Sequence, residues 1–455
     1  MARAVRKKEL TAEERLAAAL VPEEEQPYKV PGNWCWVRLG SVIEASKEKA
    51  DIFEEGTRYV GLENIEKDTG VISCQMAESI KSTKTIFHEG DILYGKLRPY
   101  LNKHGIVDFD GVCSTDILAF NTKGTSINRY VDFYLHLPNF IESMVANSKG
   151  INLPRVSEKI VLSYPLPLAP ISEQQRLVDI ISSLFADLDE AKEKLTAVVE
   201  GFAQRKAAIL HQAFTGELTA KWREENGIGK DSWKETSSSE IFEYVTSGSR
   251  GWAQYYSNKG AIFLRMGNLD HGTIDLDTND IQYVELPDKA EGQRSRVQKG
   301  DILISITADV GMIACIKEDI NEAYINQHIA LARPKSGSYS EFIAWYLVSD
   351  VGLKQLQHLQ RGATKVGLTL KDIKSLELKM PCLDEQQEIV RIIDDLFEQE
   401  QQALSTVETV LADIDTLKKS ILARAFRGEL ATNDPGEENA MEMLKEVLCD
   451  LGGEN

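Results

Sequence analysis

One long helical pattern occurs twice in this chain of 455 residues, and it limits what the rest can form. Residues 172–218 open with Ser-Glu-Gln-Gln and close with Ala-Phe-Thr-Gly-Glu-Leu, and residues 384–430 open with Asp-Glu-Gln-Gln and close with Ala-Phe-Arg-Gly-Glu-Leu. The copies align without a gap at an offset of 212 residues, because Gln174 corresponds to Gln386. The remaining sequence must therefore fold beside or between two long helices.

Each copy carries a coiled-coil seam. Alternating steps of four and three residues between apolar positions predict a helix that packs along one stripe. The positions in the first copy are Leu177, Ile181, Leu184, Leu188, Ala191, Leu195, Val198 and Phe202. Seven of the eight equivalent positions in the second copy are apolar, and the eighth is Glu400. Heptads do not distinguish parallel from antiparallel pairing, and taken alone they fit a plain dimerisation coiled coil equally well.

The residues at the ends of each copy have the types found at helix termini. Ser172 and Asp384 are expected N-terminal caps, since their side-chain oxygens can accept hydrogen bonds from free backbone amides. Gly216 and Gly428 can adopt the left-handed conformation that commonly follows a helix. At about 1.5 Å per residue, each helix is expected to be on the order of 70 Å long.

Composition restricts the class of protein. No run approaches the roughly 18 apolar residues of a membrane span, and residues 1–20 mix acids with bases, so we expect neither an anchor nor a signal peptide. The six cysteines form no close pair, which favours reduced thiols in the cytoplasm over a disulfide framework or a zinc site. We therefore expect a cytoplasmic protein that binds no metal.

The net charge of −19 argues at first against a nucleic-acid partner. Its distribution weakens that argument. Residues 382–455 hold 6 basic and 18 acidic side chains, whereas residues 28–170 hold 16 basic and 17 acidic ones. The acidic excess thus lies mostly on the second helix and the tail, and composition permits DNA binding without requiring it.

The chain reads as globular, helix, globular, helix. Short β-like runs separated by glycine and asparagine fill both globular segments, and Gly300-Asp301-Ile302-Leu303 in the second repeats Gly90-Asp91-Ile92-Leu93 in the first. The predicted fold class is α+β, with two mixed, mostly β domains separated by two long helices. The segments are an N-terminal extension (1–27), a first domain (28–171), a first helix (172–218), a linker (219–239), a second domain (240–383), a second helix (384–430) and an acidic tail (431–455).

The two domains match in scaffold and differ in their loops. This divergence suggests one task performed on two targets, although ordinary drift of surface loops is the alternative. The loops contain side chains that can hydrogen-bond base edges or neutralise phosphates. In the first domain these candidates are Tyr94, Lys96, Arg98, Asn102, Lys103, Ser114, Thr115, Asn152 and Arg155. In the second they are Arg250, Tyr255, Arg265, Asn268, Ser305, Thr307, Asn326, Gln327, His328, Arg361, Thr364 and Lys365.

The order of these elements resembles the DNA-specificity subunit of type I restriction-modification enzymes. The Glu-Gln-Gln helix start and the Ala-Phe-x-Gly-Glu-Leu end occur twice, and the resemblance extends over residues 28–430. The entry at Trp34 and Trp36 also resembles the family, but the second domain has no clear copy of it unless Trp233 fills that place.

This resemblance implies two target-recognition domains, each reading half of a split, asymmetric site in double-stranded DNA. It implies antiparallel pairing of the helices, which would set the half-site spacing and offer equivalent docking surfaces to two methyltransferase subunits. Two restriction/translocase subunits are also expected as partners. We assign partner binding to the repeated glutamines and phenylalanines, Gln174, Gln175, Phe214, Gln386, Gln387 and Phe426.

The chain shows no methylase motif, no glycine-rich cofactor loop and no phosphate-binding loop. We therefore expect no catalytic residue and no cofactor on this chain, with S-adenosylmethionine, ATP and Mg²⁺ bound by partner subunits. The alternative is a coiled-coil adaptor that assembles proteins without DNA specificity, and it differs in predicting binding that is insensitive to salt.

Overall fold

The computed structural model describes residues 11–51, 56–77, 83–248, 250–287, 292–361 and 367–450. The chain forms two units, each with one globular domain and parts of both long helices. Unit 1 comprises residues 1–194 and 409–455, and unit 2 comprises residues 195–408. The predicted α+β class is confirmed. Among the described residues, no helix combines the length and the apolar character needed to cross a bilayer.

The helices are numbered in chain order. They are α1 Ala12–Ala19, α2 Leu39–Val42, α3 Asn128–Leu135, α4 Pro138–Ala146, α5 Glu158–Leu162, α6 Ile171–Glu200, α7 Phe202–Thr215, α8 Ala220–Glu225, α9 Ser238–Ile241, α10 Ser340–Val348, α11 Asp350–Leu359, α12 Leu370–Lys374, α13 Leu383–Ala425 and α14 Ala440–Asp450.

The strands of unit 1 are β1 Cys35–Arg38, β2 Ile43–Ala45, β3 Lys49–Ala50, β4 Arg58–Val60, β5 Gln75–Met76, β6 Lys84–Phe87, β7 Ile92–Gly95, β8 His104–Ile106, β9 Gly111–Cys113, β10 Ile117–Thr122 and β11 Pro165–Leu168. Those of unit 2 are β12 Lys234–Ser237, β13 Phe242–Ser247, β14 Tyr256–Ser257, β15 Ala261–Leu264, β16 Gln282–Val284, β17 Ile302–Ser305, β18 Ile313–Cys315, β19 Ala323–Ile325, β20 Ile329–Pro334 and β21 Glu377–Met380.

Unit 1 contains a sheet of order β2-β10-β7-β8, a sheet of order β3-β6-β9-β4-β5, and the antiparallel pair β1-β11 that leads into α6. All four residues of β7 are buried. Ile92 and Tyr94 join one apolar cluster and Leu93 joins another, because successive side chains of a strand point to opposite faces. Strand β7 therefore lies at the centre of the domain core.

Unit 2 repeats this plan with sheets β13-β20-β17-β18 and β14-β16-β15-β19 and the pair β12-β21. Strand β17 replaces β7, and its four residues are also buried. Strand β15 runs parallel to β19, as β4 runs parallel to β9 in unit 1. The repeat that is visible in the sequence is thus a repeat of the fold.

The first predicted long helix is interrupted once. α6 ends at Glu200 and α7 begins at Phe202, with Gly201 between them. Glycine weakens a helix interior by about 1 kcal/mol relative to alanine, which accounts for a break at this place. The second helix, α13, is continuous over 43 residues. Gly216 ends α7 in the left-handed conformation with φ 80°, as predicted.

The predicted N-terminal caps are wrong by two positions. The first hydrogen bond of α6 reaches Pro170 O, and that of α13 reaches Cys382 O. Ser172 and Asp384 therefore lie inside the first turn, where a side chain does not cap the helix. The chain enters each helix directly from a proline-containing strand end, so the helix starts before the polar residue.

The seam departs from the strict heptad by one residue at several places. Leu184 and Val198 are 38% and 42% exposed, whereas the next residues, Phe185 and Val199, are half-buried. In α13, Val410 is likewise 41% exposed. A straight helix has 3.6 residues per turn and drifts against a 3.5-residue repeat, so a fixed heptad loses register along its length.

The helices pair antiparallel within unit 1. Lys192 Nζ lies 3.1 Å from Asp415 Oδ1, and Lys418 pairs with Asp189. The ammonium group of Lys418 also lies 5.0 Å from the centre of the Phe185 ring. Residue numbers on α13 fall as those on α6 rise, which is the antiparallel order.

The same order holds within unit 2. Arg205 donates to both carboxylate oxygens of Glu400 at 2.9 Å, and Lys206 lies 4.6 Å from the centre of the Phe397 ring. Glu400, the charged exception in the seam, is therefore half-buried as the partner of an arginine. At this seam position, where the heptad pattern would have an apolar residue, the bidentate ion pair provides the contact between the helices.

A buried glutamate near the start of α6, Glu173, accepts hydrogen bonds from two segments of unit 1. The indole of Trp34 donates to Glu173 at 2.7 Å, and the Thr432 hydroxyl and the Asn433 amide donate at 3.0 and 2.8 Å. The backbone amide of Ala440, at the start of α14, donates to Asn33 O at 2.9 Å. The acidic tail, to which the sequence assigns no role, thus folds against the entry of the first domain.

Glu385 is the equivalent glutamate in unit 2. The indole of Trp233 donates to it at 3.1 Å, the Thr219 hydroxyl donates at 2.7 Å, and the guanidinium of Arg223 pairs with it. Trp233 is therefore the counterpart of Trp34 that the sequence left open. The predicted linker 219–239 is corrected, because it contains α8 and β12 and is held by this buried carboxylate.

Candidate nucleic-acid interface

Three loops of unit 1 meet beyond the end of β7, and we name residues 96–103, 114–116 and 149–155 the first loop cluster. Lys96 N donates to Asp116 O at 2.8 Å, and Val156 N donates to Lys96 O at 3.1 Å. Lys149 and Arg155 exchange two backbone hydrogen bonds of 2.8 and 2.9 Å, which close the third loop into a hairpin. Candidates that are far apart in sequence are thus joined by the main chain.

Several side chains of the first loop cluster reach the protein surface. Arg98, Thr115, Asn152 and Arg155 are exposed, and Lys96 and Ser114 are half-buried. Arg98 adopts a left-handed backbone with φ 53°, held by a hydrogen bond from its amide to Pro154 O at 2.7 Å. A non-glycine residue in this conformation is strained, and such strain persists only where the surrounding structure fixes it.

Arg155 is held by an acid that the sequence reasoning missed. Its Nε and Nη2 donate to the two oxygens of Asp116 at 3.0 and 3.1 Å, and this hydrogen bonding raises the pKa of Arg155. The internal repeat could have identified Asp116, because the offset of 212 residues makes it the equivalent of the predicted candidate His328. Ile151 was also missed, although it is exposed in the same hairpin.

Unit 2 has an equivalent second loop cluster, formed by residues 306–311, 326–328, Arg361 and Gly367. Ile306 N donates to His328 O at 2.9 Å, and Leu368 N donates to Ile306 O at 2.8 Å. Arg361 and Gly367 exchange two backbone hydrogen bonds of 3.2 Å. These four hydrogen bonds repeat those of the first loop cluster position by position.

The side chains of the second loop cluster differ from those of the first. The Thr307 hydroxyl lies 2.6 Å from His328 Nδ1, and Gln327 Nε2 lies 2.8 Å from His328 Nε2. Arg361 is exposed and donates to Asp372 at 3.3 Å. Burial alone would raise the pKa of Asp372, but hydrogen bonds from Thr369 and the charge of Arg361 hold that pKa below its usual value. Thr364 and Lys365 lie outside the described residues.

The remaining candidates of unit 2 lie on the neighbouring sheet. Asn326 N donates to Leu264 O at 3.0 Å, which places the half-buried Arg265 next to the second loop cluster. Arg265 donates to Asp280 at 2.9 Å. Arg250 is exposed and Tyr255 is half-buried. The structure therefore joins Arg265 to the cluster through a strand, and among the described residues no hydrogen bond joins Arg250 or Tyr255 to it.

Five DNA-binding candidates are corrected to structural roles. Tyr94 and Ser305 are buried within β7 and β17, and the Ser305 hydroxyl accepts from Met312 N at 2.9 Å. Asn102 is buried and donates to Asp68 at 2.9 Å. Asn268 is buried, and its side chain accepts from Arg265 N at 2.8 Å. Asn326, at 9% exposed, uses its side-chain oxygen to accept from His328 N.

Lys103 also has a partner within the chain. It is half-buried, and its ammonium donates to Leu62 O at 2.7 Å. It can reach a DNA phosphate only by giving up this hydrogen bond.

The predicted partner-binding residues divide into two groups. Gln174 is buried and donates to Thr125 O and Ala169 O, so it joins α6 to its own domain. Gln386 repeats the second contact by donating to Pro381 O at 2.8 Å. Neither side chain is available to a partner, and this part of the prediction is corrected. Gln175 and Gln387 are exposed and stay predictions.

The two predicted phenylalanines fill equivalent aromatic pockets. Phe426 lies 4.9 Å from the rings of both Tyr130 and Tyr134. Phe214 lies 5.4 Å from Phe342 and 5.2 Å from Tyr346, the residues 212 positions further along. Both phenylalanines are buried, and their assignment to partner binding is corrected to anchoring each helix end on its domain.

The chain is similar to known proteins. The model of the family described as type I restriction modification DNA specificity domain matches twice, at residues 31–200 and 230–409. The specificity subunit of type I restriction enzyme EcoBI of Escherichia coli is 28% identical over 70% of this chain and 71% of that protein. The specificity subunit of EcoDI, also from E. coli, is 34% identical over 43% of this chain and 45% of that protein.

Two solved structures have the same fold. A chain from a study of the assembly and conformational transition of a type I restriction-modification system aligns with a TM-score of 0.70 at 22% identity. The HsdS subunit from Thermoanaerobacter tengcongensis aligns with a TM-score of 0.63 at 21% identity. Each alignment covers 89% of this chain and 100% of the other.

Proposed function

Since the chain belongs to the family of type I restriction-modification DNA specificity domains, we propose that it selects the DNA site of a type I restriction-modification complex. The first loop cluster reads one half of a split, asymmetric site, and the second loop cluster reads the other half. The chain itself carries out no chemistry. Its function is to place partner subunits on a chosen DNA sequence.

One observation carries this proposal: the two loop clusters share four equivalent backbone hydrogen bonds and present different side chains on them. Asp116 in the first is replaced by His328 in the second, and Arg155 is replaced by Gly367. A fixed frame with exchanged donors and acceptors is what reading two different half-sites requires. Loops that diverge by drift alone would not be expected to keep the same four backbone hydrogen bonds.

The side chains suit both kinds of DNA contact. Lys149 and Arg98 can neutralise phosphates or bridge guanine acceptors, and Asn152 can bridge adenine. Ile151 has a completely exposed apolar side chain, which can contact a thymine methyl group. In the second loop cluster, Gln327 and Arg361 have the corresponding capacities for adenine and for guanine or phosphate.

The long helices set the spacing between half-sites and dock two methyltransferase subunits. In each unit α13 pairs antiparallel with α6 or α7, so one chain presents two similar surfaces to two identical partners. Exposed Gln175 and Gln387 occupy equivalent positions at the helix starts and belong to these surfaces. Two restriction subunits complete the complex. Adenine methylation with S-adenosylmethionine, and cleavage driven by ATP and Mg²⁺, take place on the partners.

The decisive experiment measures genome-wide adenine methylation after co-expression with the cognate modification subunits. Arg98→Ala should relax or weaken one half-site of a split motif, and Gln327→Ala should affect only the other half. Loss of one good base contact costs about 1–3 kcal/mol, which corresponds to roughly 5-fold to 150-fold in discrimination. Lys221→Ala is the matched control, because this exposed lysine lies on α8 outside both loop clusters.

Two outcomes would count against the proposal. If either variant changed both half-sites, or neither, the assignment of one loop cluster to each half would be wrong. If the purified complex bound DNA with no dependence on salt, phosphate contacts would be absent, and assembly of proteins would be the better description.

A further inference from the structure

A buried polar group lies in the interior of unit 1, next to the loop of residues 96–103 in the first loop cluster. His104 and Asp132 are 0% and 1% exposed, and His136 is 16% exposed at the side chain. His104 Nδ1 lies 2.8 Å from Asp132 Oδ1, and the rings of His104 and His136 are 4.2 Å apart. One potential ligand atom from each residue lies within 4.8 Å of the other two. This is the only such group among the described residues.

One ring nitrogen in this group has no partner. His104 Nε2 is buried and makes no hydrogen bond within the part of the chain that the structure describes. A buried polar atom left without a partner costs about 1–3 kcal/mol. His104 Nε2 is therefore a buried nitrogen for which the described residues supply no hydrogen-bonding partner, while Nδ1 faces Asp132.

The fold itself does not need polar residues here. At the equivalent positions of α10 in unit 2 stand Ala344 in place of Asp132 and Val348 in place of His136, and both are buried in the apolar core. The same scaffold thus packs with apolar side chains in the other copy. Burying three titratable side chains is costly unless they are paired or bind an ion, so the polar group is a feature specific to unit 1.

We propose that His104, Asp132 and His136 bind a divalent transition-metal ion. Two imidazoles and one carboxylate match the preference of Zn²⁺ and of related first-row ions for nitrogen and oxygen ligands. Mg²⁺ and Ca²⁺, which take oxygen ligands almost entirely, do not fit this set. The ion ties β8 to α3 and stabilises unit 1.

The surroundings supply the supporting contacts that such sites have. Arg129 donates to the second oxygen of Asp132 at 3.3 Å, which orients the carboxylate. Asp68 lies 3.8 Å from His136 Nδ1 and accepts from Asn102 at 2.9 Å. Asp68 and Asn102 both have left-handed backbones, with φ 62° and 43°. Asp68 and Asn102, both with strained backbones, thus lie beside the proposed ligand His136. This is expected of outer-shell residues that position a metal ligand.

An entry path exists. Asp68, Asp132 and His136 line a cavity of about 810 Å³ within unit 1, whose far wall is formed by α6 and α13. Two of the three lysines on that wall, Lys192 and Lys418, are paired with Asp415 and Asp189, which offsets their repulsion of a cation. The charge of the third, Lys419, acts on the carboxylate of Asp68. A hydrated ion can therefore reach the partly exposed His136 first.

The test is titration of the purified full-length chain with ZnCl₂ after removal of the affinity tag and dialysis against a chelator. We expect one equivalent of zinc by isothermal titration calorimetry and by elemental analysis. His136→Gln should weaken binding by more than about 100-fold, since loss of an outer-shell partner alone costs about 10–100-fold. This variant keeps the buried His104 and Asp132, and circular dichroism verifies that it folds.

His271→Gln is the matched control, because His271 lies 2.9 Å from Asp309 on the surface of unit 2 and forms an ordinary exposed pair. It should bind zinc like the parent chain. Cobalt serves as a spectroscopic probe, and we expect ligand-field bands without a thiolate-to-metal band. The proposal is overturned if the parent chain binds no zinc, if His136→Gln binds it equally well, or if a thiolate band points to the exposed Cys382 or Cys449.

Discussion

Glu385 provides the sharpest test of how a long helix is attached to its domain. Its side chain is 0% exposed, and the guanidinium of its partner Arg223 is 8% exposed. Removing one member of a buried ion pair leaves the other charge without compensation, at a cost of about 3–5 kcal/mol. We therefore expect Glu385→Gln to lower the free energy of unfolding by about 3–5 kcal/mol. Thr219 and Trp233 lose a charged acceptor in the same variant.

The double variant separates this mechanism from general damage to the site. In Arg223→Met/Glu385→Gln no charge remains buried, so the double variant should be more stable than Glu385→Gln alone, although it carries one more substitution. A double-mutant cycle on urea unfolding measures the difference, and hydrogen exchange assigns it to unit 2. If the two single effects simply add, the uncompensated charge is not the cause and the reasoning fails.

A second ion pair on the same helix provides a control for the loss of an exposed ion pair, as opposed to a buried one. Arg391 and Glu388 lie 2.7 Å apart on α13, but the guanidinium is 59% exposed. Solvent screens such a pair, and its contribution is usually below about 1 kcal/mol. Glu388→Gln should therefore change stability little. An effect as large as that of Glu385→Gln would show that burial does not decide the outcome.

Further predictions concern the helix ends, the spacing and the loops. Phe426→Ala and Phe214→Ala should each cost about 3–5 kcal/mol, and hydrogen exchange should locate the effects in unit 1 and unit 2 respectively. Inserting seven residues into α6 near residue 194 and seven into α13 near residue 409 should lengthen the DNA spacer between the half-sites by about 10 Å, or about three base pairs. A methylation assay measures the spacer, and an unchanged motif would contradict a spacing role for the helices. Lys149→Ala should reduce the salt dependence of DNA binding by about 0.9 in the log–log slope if Lys149 contacts a phosphate, whereas Ile151→Ala should leave the slope unchanged.

The sequence predicted the repeat well because the repeat is carried by local signals. The Glu-Gln-Gln starts and the helix-ending Gly216 fix where each helix lies to within a few residues. Pairing direction was not predictable from the heptads. It depends on contacts such as those between Arg205 and Glu400, which are 195 residues apart. The interpretation of Gln174 failed for the same reason, since its partners Ser126 and Ile127 come from a distant loop.

The candidate interface was predicted in outline but not in detail. The types of side chain predicted which loops could bind DNA. A polar residue such as Asn268, however, can hydrogen-bond the backbone of a turn as readily as it can hydrogen-bond a DNA base. Burial separates the two uses, and burial follows from tertiary packing. The prediction that no metal binds rested on the spacing of the cysteines. His104, Asp132 and His136 meet only through the fold, which places β8 against α3.

The duplicated chain explains how recognition can change while the fold stays the same. In both units the loops are held by backbone hydrogen bonds, and the buried glutamate at the helix start is held by a tryptophan indole. None of these contacts uses the exposed side chains of the loop clusters. Arg155 and Asp116 in one copy and Gly367 and His328 in the other therefore occupy the same frame without disturbing it. The backbone frame does not depend on the side chains that it presents. We therefore expect substitutions at these positions to change the proposed half-site specificity with little effect on stability.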